Sequence, residues 1–220
     1  KNILNEMYSK DISKKVHSSY LLKAQKGQFT GCVAPFGYRK DPNDKEKWLI
    51  DEPAAEVVRK IYAFCLAGRG PSQIARQLEK EKILVPSAYY ESVGRSHAQK
   101  VPANPYCWDQ KTVVGILENR QYTGCAVNFK TTTVSYKVHK TVYKPAEEHQ
   151  IIPDMQEPII SEEQWLRVQE LRKHRRRPTA TGRTSLFSGL VYCPDCGAKL
   201  HFCAAKSLKR NQEFWRCSNY

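Results

Sequence analysis

A cysteine cluster near the carboxyl end carries the most specific chemistry in the sequence. Cys193 and Cys196 form a Cys-x-x-Cys pair with Gly197 directly after it, and Cys217 follows about twenty residues later. A tight turn at such a pair lets both thiolates reach one ion while backbone N–H groups point at the sulfurs. A second ligand pair roughly 15–20 residues on is the pattern of a zinc ribbon. The spacing therefore predicts a structural zinc ion held by Cys193, Cys196 and Cys217.

The fourth ligand of this site stays open. A partner three residues after Cys217 would stand at position 220, where the residue is Tyr. Either the fourth ligand follows Tyr220, or Cys203 or His201 takes its place. A redox dithiol is the competing interpretation of the pair, but no βαβ pattern surrounds it. We expect three thiolates to hold zinc more weakly than four.

A second constellation lies on two helices in the middle of the chain. The helix predicted over about 109–117 begins with an exposed polar turn, Gln110, Lys111 and Thr112, and follows a helix predicted over 72–80. In a helix-turn-helix, the second helix enters the major groove by its first turn. Gln pairs with adenine there, and Lys approaches guanine or phosphate. The connection of roughly thirty residues is long for that motif, so two ordinary amphipathic helices with solvated faces are the alternative.

Basic side chains are concentrated on both sides of this helix pair. The 220 residues include 36 Lys and Arg against 22 Asp and Glu, for a formal net charge of +14. Such an excess favours a polyanionic partner, most commonly nucleic acid. The stretches 10–26 and 172–177 suit phosphate contacts, although solvated surface is the alternative for each. Besides the Gln110 turn, the predicted DNA-contacting residues are Lys23, Lys26, Arg120, Arg172, Arg175, Arg176 and Arg177.

Several classes of function lack their signatures in this sequence. It has no Ser-His-Asp order, HExxH, P-loop or GxGxxG motif, so we predict no catalytic residue and no small-molecule substrate. It has no apolar run of 18 residues and no apolar core of a signal peptide, so we expect a cytoplasmic protein without a membrane span. The cysteines outside the cluster stand singly among apolar neighbours, which suits a reducing compartment.

Hydrophobic periodicity and turn signals predict a helical scaffold with short strands. The predicted helices cover residues 3–26, 51–68, 72–80 and 109–117, and one begins at Ser161. Their predicted caps are Asp51, Ser72 and a Ser161–Gln164 capping box. The predicted strands are at Tyr38, Trp48–Ile50, Cys125–Phe129 and Val134–Val138. The polar stretch Ser87–Asn104 is predicted to be a loop or arm.

Five motifs in order resemble the large serine recombinases, the phage integrases and mobile-element transposases. They are Lys23-Ala-Gln-Lys-Gly27-Gln-Phe29 with Pro35-Phe-Gly-Tyr38, Gly70-Pro-Ser-Gln-Ile-Ala75, Trp108 with Ile116-Leu-Glu-Asn119-Arg120-Gln-Tyr122-Thr-Gly124, Pro158-Ile-Ile160-Ser161, and Cys193-Pro-Asp-Cys196-Gly197. The order and rough spacing match that family's recombinase domain followed by its zinc ribbon. The resemblance covers essentially the whole chain.

The resemblance implies a domain plan and a fold class. It implies a linker helix over 1–30, a recombinase DNA-binding domain over 31–174, a basic linker over 175–186 and an incomplete zinc ribbon over 187–220. The expected fold is α+β: a mostly helical, winged-helix-like domain with a small sheet, followed by a truncated zinc β-ribbon. The family's coiled-coil insertion is not visible.

The resemblance also implies a function. Family members carry an N-terminal domain with a nucleophilic Ser, and they exchange DNA strands in a tetramer by subunit rotation. Because the sequence begins with Lys1 and contains no such domain, we expect a segment of a longer protein that binds double-stranded DNA but does not cut it. It would bind attachment or transposon-end sites, with dimers on a site and tetramers in the synapse of the intact protein. The alternatives are a stand-alone transcriptional regulator and a zinc-ribbon adaptor between proteins.

Overall fold

The computed structural model describes two compact units, Lys1–Leu166 and Arg167–Tyr220. The described residues are 2–26, 28, 30, 33–44, 47–138, 140–173, 181–183, 185–217 and 219. The predicted linker 175–186 lies largely outside them, so the domain plan stays a prediction. Within the described residues, no helix is both long and apolar enough to cross a lipid bilayer.

Six α-helices and eight short strands make up the described part of the chain. The helices are α1 Asn2–Gln25, α2 Glu52–Leu66, α3 Pro71–Lys80, α4 Pro86–Ser92, α5 Gln110–Glu118 and α6 Glu162–Lys173. The strands are β1 Tyr38–Lys40, β2 Trp48–Ile50, β3 Ala126–Asn128, β4 Thr131–Thr133, β5 Thr141–Tyr143, β6 Gln150–Ile152, β7 Leu200–Cys203 and β8 Phe214–Cys217. The pairs β1–β2, β3–β6, β4–β5 and β7–β8 are all antiparallel. The predicted combination of helices with small sheets is confirmed.

The core of the first unit lies where α2, α3 and α5 pack together. Each helix has one apolar face, and Val58, Ile61, Leu78, Val113 and Leu117 are fully buried there. Burial of such side chains stabilises the fold by about 1.5–3 kcal/mol each. The first turn of α5 is left outside this core.

Three buried tyrosines connect the helices to the neighbouring loops. The hydroxyl of Tyr62 donates to the backbone oxygen of Ile116 at 3.2 Å, and that of Tyr122 donates to Phe36 O at 2.8 Å. The Tyr38 hydroxyl donates to a third backbone oxygen, that of Glu157, at 2.8 Å. Because each hydroxyl has an acceptor, the large rings are buried without an unsatisfied polar group.

Two predictions about helix starts were wrong in detail. The cap of α3 is Gly70 and not Ser72, because Pro71 takes the first helical position, where its missing N–H costs nothing. Gln73 completes this start, since its side-chain oxygen accepts from the Gly70 N–H at 2.9 Å. Asp51 does stand at the cap position of α2, but its side chain makes no cap bond. By contrast, Ser161 caps α6 as predicted, and its hydroxyl accepts from the Gln164 N–H at 3.2 Å.

The stretch 87–104 was predicted as a loop and contains most of α4. The Asp51 carboxylate explains the order of this segment, since it accepts from the Tyr89 hydroxyl at 2.8 Å and pairs with Arg95 at 3.5 Å. Arg95 also donates to the backbone oxygen of Tyr38 at 3.0 Å. These contacts join residues far apart in the chain, so local polarity did not reveal them.

The prediction of a strand at 134–138 was also wrong. Those residues form the turn between β4 and β5, and the Ser135 N–H donates to Val138 O at 3.3 Å. The strand predicted at 125–129 is confirmed in its centre as β3. It ends at Asn128, before Phe129, whose φ of 57° breaks the extended conformation.

Candidate nucleic-acid interface and metal centre

The structure brings the first turns of α3 and α5 together. The Ser72 hydroxyl donates to the side-chain oxygen of Gln110 at 2.7 Å, although the two residues are 38 positions apart. Asp109 caps α5, and its carboxylate accepts from the Lys111 N–H at 3.1 Å. Gln110 and Lys111 are exposed and Thr112 is half-buried. The three predicted reading residues therefore form one polar turn that faces solvent.

The long connection between these helices does not separate them. Trp108, just before α5, is buried, and its ring N–H donates to Ile83 O at 2.9 Å, shortly after α3. The Val85 N–H, at the start of α4, donates to Pro105 O at 2.9 Å. Both ends of the connection are thus tied to each other, and α4 occupies the space between. This geometry removes the objection that the connection is too long for a packed helix pair.

The predicted phosphate contacts on α1 lie at its carboxyl end. Lys23 and Lys26 are exposed on either side of Ala24, which is buried. Gln150 on β6 donates to the Ala24 backbone oxygen at 3.1 Å, and Asn128 on β3 donates to Gln28 O at 3.0 Å. The β3–β6 pair therefore fixes the two lysines relative to the first unit.

The predicted arginines have different surroundings. Arg120 forms an ion pair with Glu162 at 2.7 Å, and its guanidinium lies 5.6 Å from the Trp165 ring centre. These contacts give Arg120 a role inside the first unit besides the predicted one on DNA. Arg172 is half-buried and donates to the Gln169 side chain at 3.4 Å. Arg175, Arg176 and Arg177 lie outside the described residues.

Two polar residues of this region were missed by sequence reasoning. Ser72 was assigned to a cap, and its contact with Gln110 has no local signal because it joins two separate helices. Lys130 lies half-buried after β3 with its ammonium group 3.3 Å from the Asn119 side-chain oxygen and 3.4 Å from that of Gln121. Burial lowers the pKa of Lys130.

The predicted metal ligands lie together in the second unit. The sulfur atoms of Cys193, Cys196 and Cys217 all lie within 4.8 Å of one another. Zinc–sulfur bonds of about 2.3 Å in a tetrahedron separate sulfurs by roughly 3.8 Å, so three thiolates so placed fit zinc. Gly197 has a φ of 66°, and its N–H donates to Cys193 O at 2.9 Å, which closes the tight turn. The pKa of Cys196 is lowered by a backbone hydrogen bond from Ala198 and further by the Cys217 thiol.

The register of the β7–β8 pair speaks against both predicted substitutes for the fourth ligand. Leu200 is opposite Cys217, whereas Cys203 is opposite Phe214, about 10 Å further along the ribbon. His201 neighbours Leu200, so its side chain projects from the other face. Among the described residues, no fourth His, Cys, Asp or Glu joins the three cysteines. The suggestion that His201 or Cys203 completes the site was therefore wrong for this conformation.

Comparison with family models identifies both parts of the chain. The model described as "Recombinase" matches residues 52–175, more than half of the chain, and "Recombinase zinc beta ribbon domain" matches residues 186–220. The chain therefore belongs to the recombinase family. The resemblance to large serine recombinases that the motifs indicated is confirmed for these two domains.

One curated protein matches about half of this chain. "Uncharacterized protein YefB" of Bacillus subtilis (strain 168) is 30% identical over 113 residues, 51% of this chain and 36% of that protein. The matched segment thus spans about a third of that relative.

One solved structure is similar in fold to this chain, and a second gives a weaker match. "Crystal Structure of a LSR-DNA Complex" has a TM-score of 0.54 at 19% identity and covers 94% of this chain and 60% of the other. "Sequence Requirements of the Listeria innocua prophage attP site" has a TM-score of 0.48 at 19% identity, with 94% and 74% covered.

Proposed function

We propose that this chain binds specific double-stranded DNA sites, of the attachment or transposon-end type, as part of a site-specific serine recombinase. The observation that carries the proposal is the first turn of α5, where Gln110 and Lys111 face solvent on a helix whose other face is buried. A helix held in this way presents its first turn to the major groove. The net charge of +14 and the membership of the recombinase family support the same partner.

The basic residues have a separate part in this proposal. Lys23 and Lys26 contact phosphates and add affinity that does not depend on sequence. In the whole protein, DNA binding by this chain supports integration and excision by strand exchange in the cytoplasm. Two protomers bind a site and four form the synapse, while the serine that attacks DNA belongs to a catalytic domain elsewhere in the protein.

Zinc has a structural part in the proposal. Cys193, Cys196 and Cys217 would hold the ion and so fix the start of the ribbon to the end of β8. When bound, zinc supplies a cross-link between these two segments and takes no part in strand exchange. The β7–β8 ribbon then keeps one conformation and presents a constant surface.

A selection from a pool of random 30-base-pair duplexes tests the proposal. The wild-type chain is expected to enrich a defined sequence. Gln110→Ala and Lys111→Ala should each weaken binding to the enriched duplex by about 1–3 kcal/mol and change binding to a scrambled duplex little. Lys23→Ala should weaken binding to both duplexes alike and reduce the slope of log affinity against log salt by about 1.

Gln164→Ala is the matched control, since Gln164 is an exposed glutamine on a different helix, α6. It should bind both duplexes like the wild type. Equal losses on both duplexes for Gln110→Ala would show that this residue does not read bases. Binding that does not vary with salt would favour the adaptor between proteins instead.

A further inference from the structure

The hydrogen bond between Ser72 and Gln110 connects two helix starts that are each fixed independently. On one side, Pro71 is buried and Gln73 holds the Gly70 N–H, so the first turn of α3 is rigid. On the other side, Asp109 caps α5. From this backbone, the hydroxyl of Ser72 donates to Gln110 Oε1 at 2.7 Å.

This contact leaves one edge of the Gln110 amide for a ligand. A carbonyl oxygen accepts two hydrogen bonds and an amide nitrogen donates two. After the Ser72 hydroxyl has taken one site on Oε1, one acceptor site and both N–H groups remain. A glutamine that pairs with adenine needs one acceptor for N6 and one donor for N7. The held amide thus keeps the groups that adenine requires.

We propose that Ser72 is a positioning residue that orders the Gln110 side chain before DNA arrives, and so determines base preference at one position of the site. The base we assign to that position is adenine. The proposal rests on the proposed function, because it presupposes that α5 enters the major groove. Ser72 acts through Gln110 and makes no base contact of its own.

Ordering in advance has a measurable consequence. A glutamine on an exposed turn samples many rotamers, and immobilising it on binding weakens affinity by about two- to tenfold. Ser72→Ala should therefore lose about fivefold in affinity for the enriched duplex and little for the scrambled one. The loss should disappear in the Gln110→Ala background, because a residue that acts only through Gln110 has nothing left to position.

The experiment selects from the same random 30-base-pair pool with wild type, Ser72→Ala, Ser72→Thr, Ser72→Val, Gln110→Ala and Ser72→Ala/Gln110→Ala. Ser72→Thr keeps the hydroxyl and should retain the adenine preference. Ser72→Val should lose that preference, because valine has the shape of threonine but no hydroxyl. Thermal unfolding of each variant shows whether it is folded. Ser96→Ala, at an exposed serine in the connection between α4 and α5, is the matched control and should bind like the wild type.

The outcomes separate this inference from the proposed function. If the wild type enriches no sequence, both fail. If Gln110→Ala loses preference at one position and the Ser72 variants do not, the positioning role is refuted and the proposed function stands. A Ser72→Ala loss that persists without Gln110 also overturns the inference, because it would mean a direct contact of Ser72 with DNA.

Discussion

The two units of this chain are stabilised in different ways. In the first unit, α2, α3 and α5 bury complete apolar side chains, and residues such as Ile61 and Leu117 have no exposed surface. In the second unit, Leu186, Phe187 and Leu190 are 87%, 63% and 61% exposed. A segment this small buries too little apolar surface to fold on that basis alone. The comparison indicates that a packed core holds the first unit, and we propose that a metal ion holds the second.

Metal removal should give the largest effect and tests this contrast directly. In a protein that extends past Tyr220, we expect about one zinc per chain by elemental analysis, and we expect a chelator to remove it and expose the ribbon backbone to hydrogen exchange. Removal of zinc should lower the free energy of unfolding of the ribbon by several kcal/mol, because zinc binding and folding are one event in such small units. Exchange in the first unit should stay unchanged, since the three clustered cysteines all lie in the second.

Two cysteine variants refine this prediction. Cys196→Ser should behave like chelated protein. Cys203→Ser should keep its zinc, because Cys203 lies opposite Phe214, away from the cluster. The proposal that a metal ion stabilises the second unit would be refuted by a ribbon that stays protected from hydrogen exchange after chelation. A disulfide between Cys193 and Cys196 in the purified protein would refute it as well.

A substitution in the core of the first unit should destabilise that unit and leave zinc binding unchanged. Leu117→Ala removes a fully buried side chain between α5 and its neighbours and should lower the free energy of unfolding of the first unit by about 2–5 kcal/mol. Urea unfolding followed by circular dichroism measures the change, and zinc content should not alter. Leu166→Ala, at a leucine that is 54% exposed, is the control and should stay within about 0.5 kcal/mol of the wild type. Loss of zinc in Leu117→Ala would mean that the two units are not independent.

The smallest expected effect concerns the tyrosines of the first unit. Burial, with help from the Asp51 carboxylate, raises the pKa of Tyr89 to about 12, and complete burial raises the pKa of Tyr122. A raised pKa of a tyrosine means that the folded state binds the proton more tightly than the unfolded state. Stability from this source is complete below about pH 10 and is lost as the pH rises toward 12.

The pH dependence is measured by urea unfolding at a series of pH values. The midpoint for the first unit should be constant up to about pH 10 and should then fall. Tyr89→Phe removes the hydrogen bond to Asp51, which should cost about 1 kcal/mol at neutral pH and make the alkaline decline shallower. Tyr143→Phe is the control, because Tyr143 is 83% exposed. A decline that begins well below pH 10 would point to groups other than these tyrosines.

Local sequence signals were sufficient for five of the six described helices and for the first three strands. The helices α1, α2, α3 and α5 and the strands β1, β2 and β3 were predicted within a few residues of their observed bounds, and so was the start of α6, because periodicity and caps act within one or two turns. Errors occurred where a distant contact overrode local preference. The clearest example is α4, which was missed because Asp51 and Arg95 stabilise it from outside its own segment.

The candidate sites also combine features set by local sequence with features set by tertiary packing. The sequence alone determined the three cysteines, because ligand spacing around a Cys-x-x-Cys turn is a local property, and it determined the polar first turn of α5, because capping and amphipathicity are local too. Only the tertiary structure decided that Ser72 contacts Gln110, that Arg120 is paired with Glu162 and that Cys203 lies away from the cluster. These three facts depend on which helices pack and on the register of paired strands. Packing and register are set by the combined fit of many side chains, so no single stretch of sequence contains them.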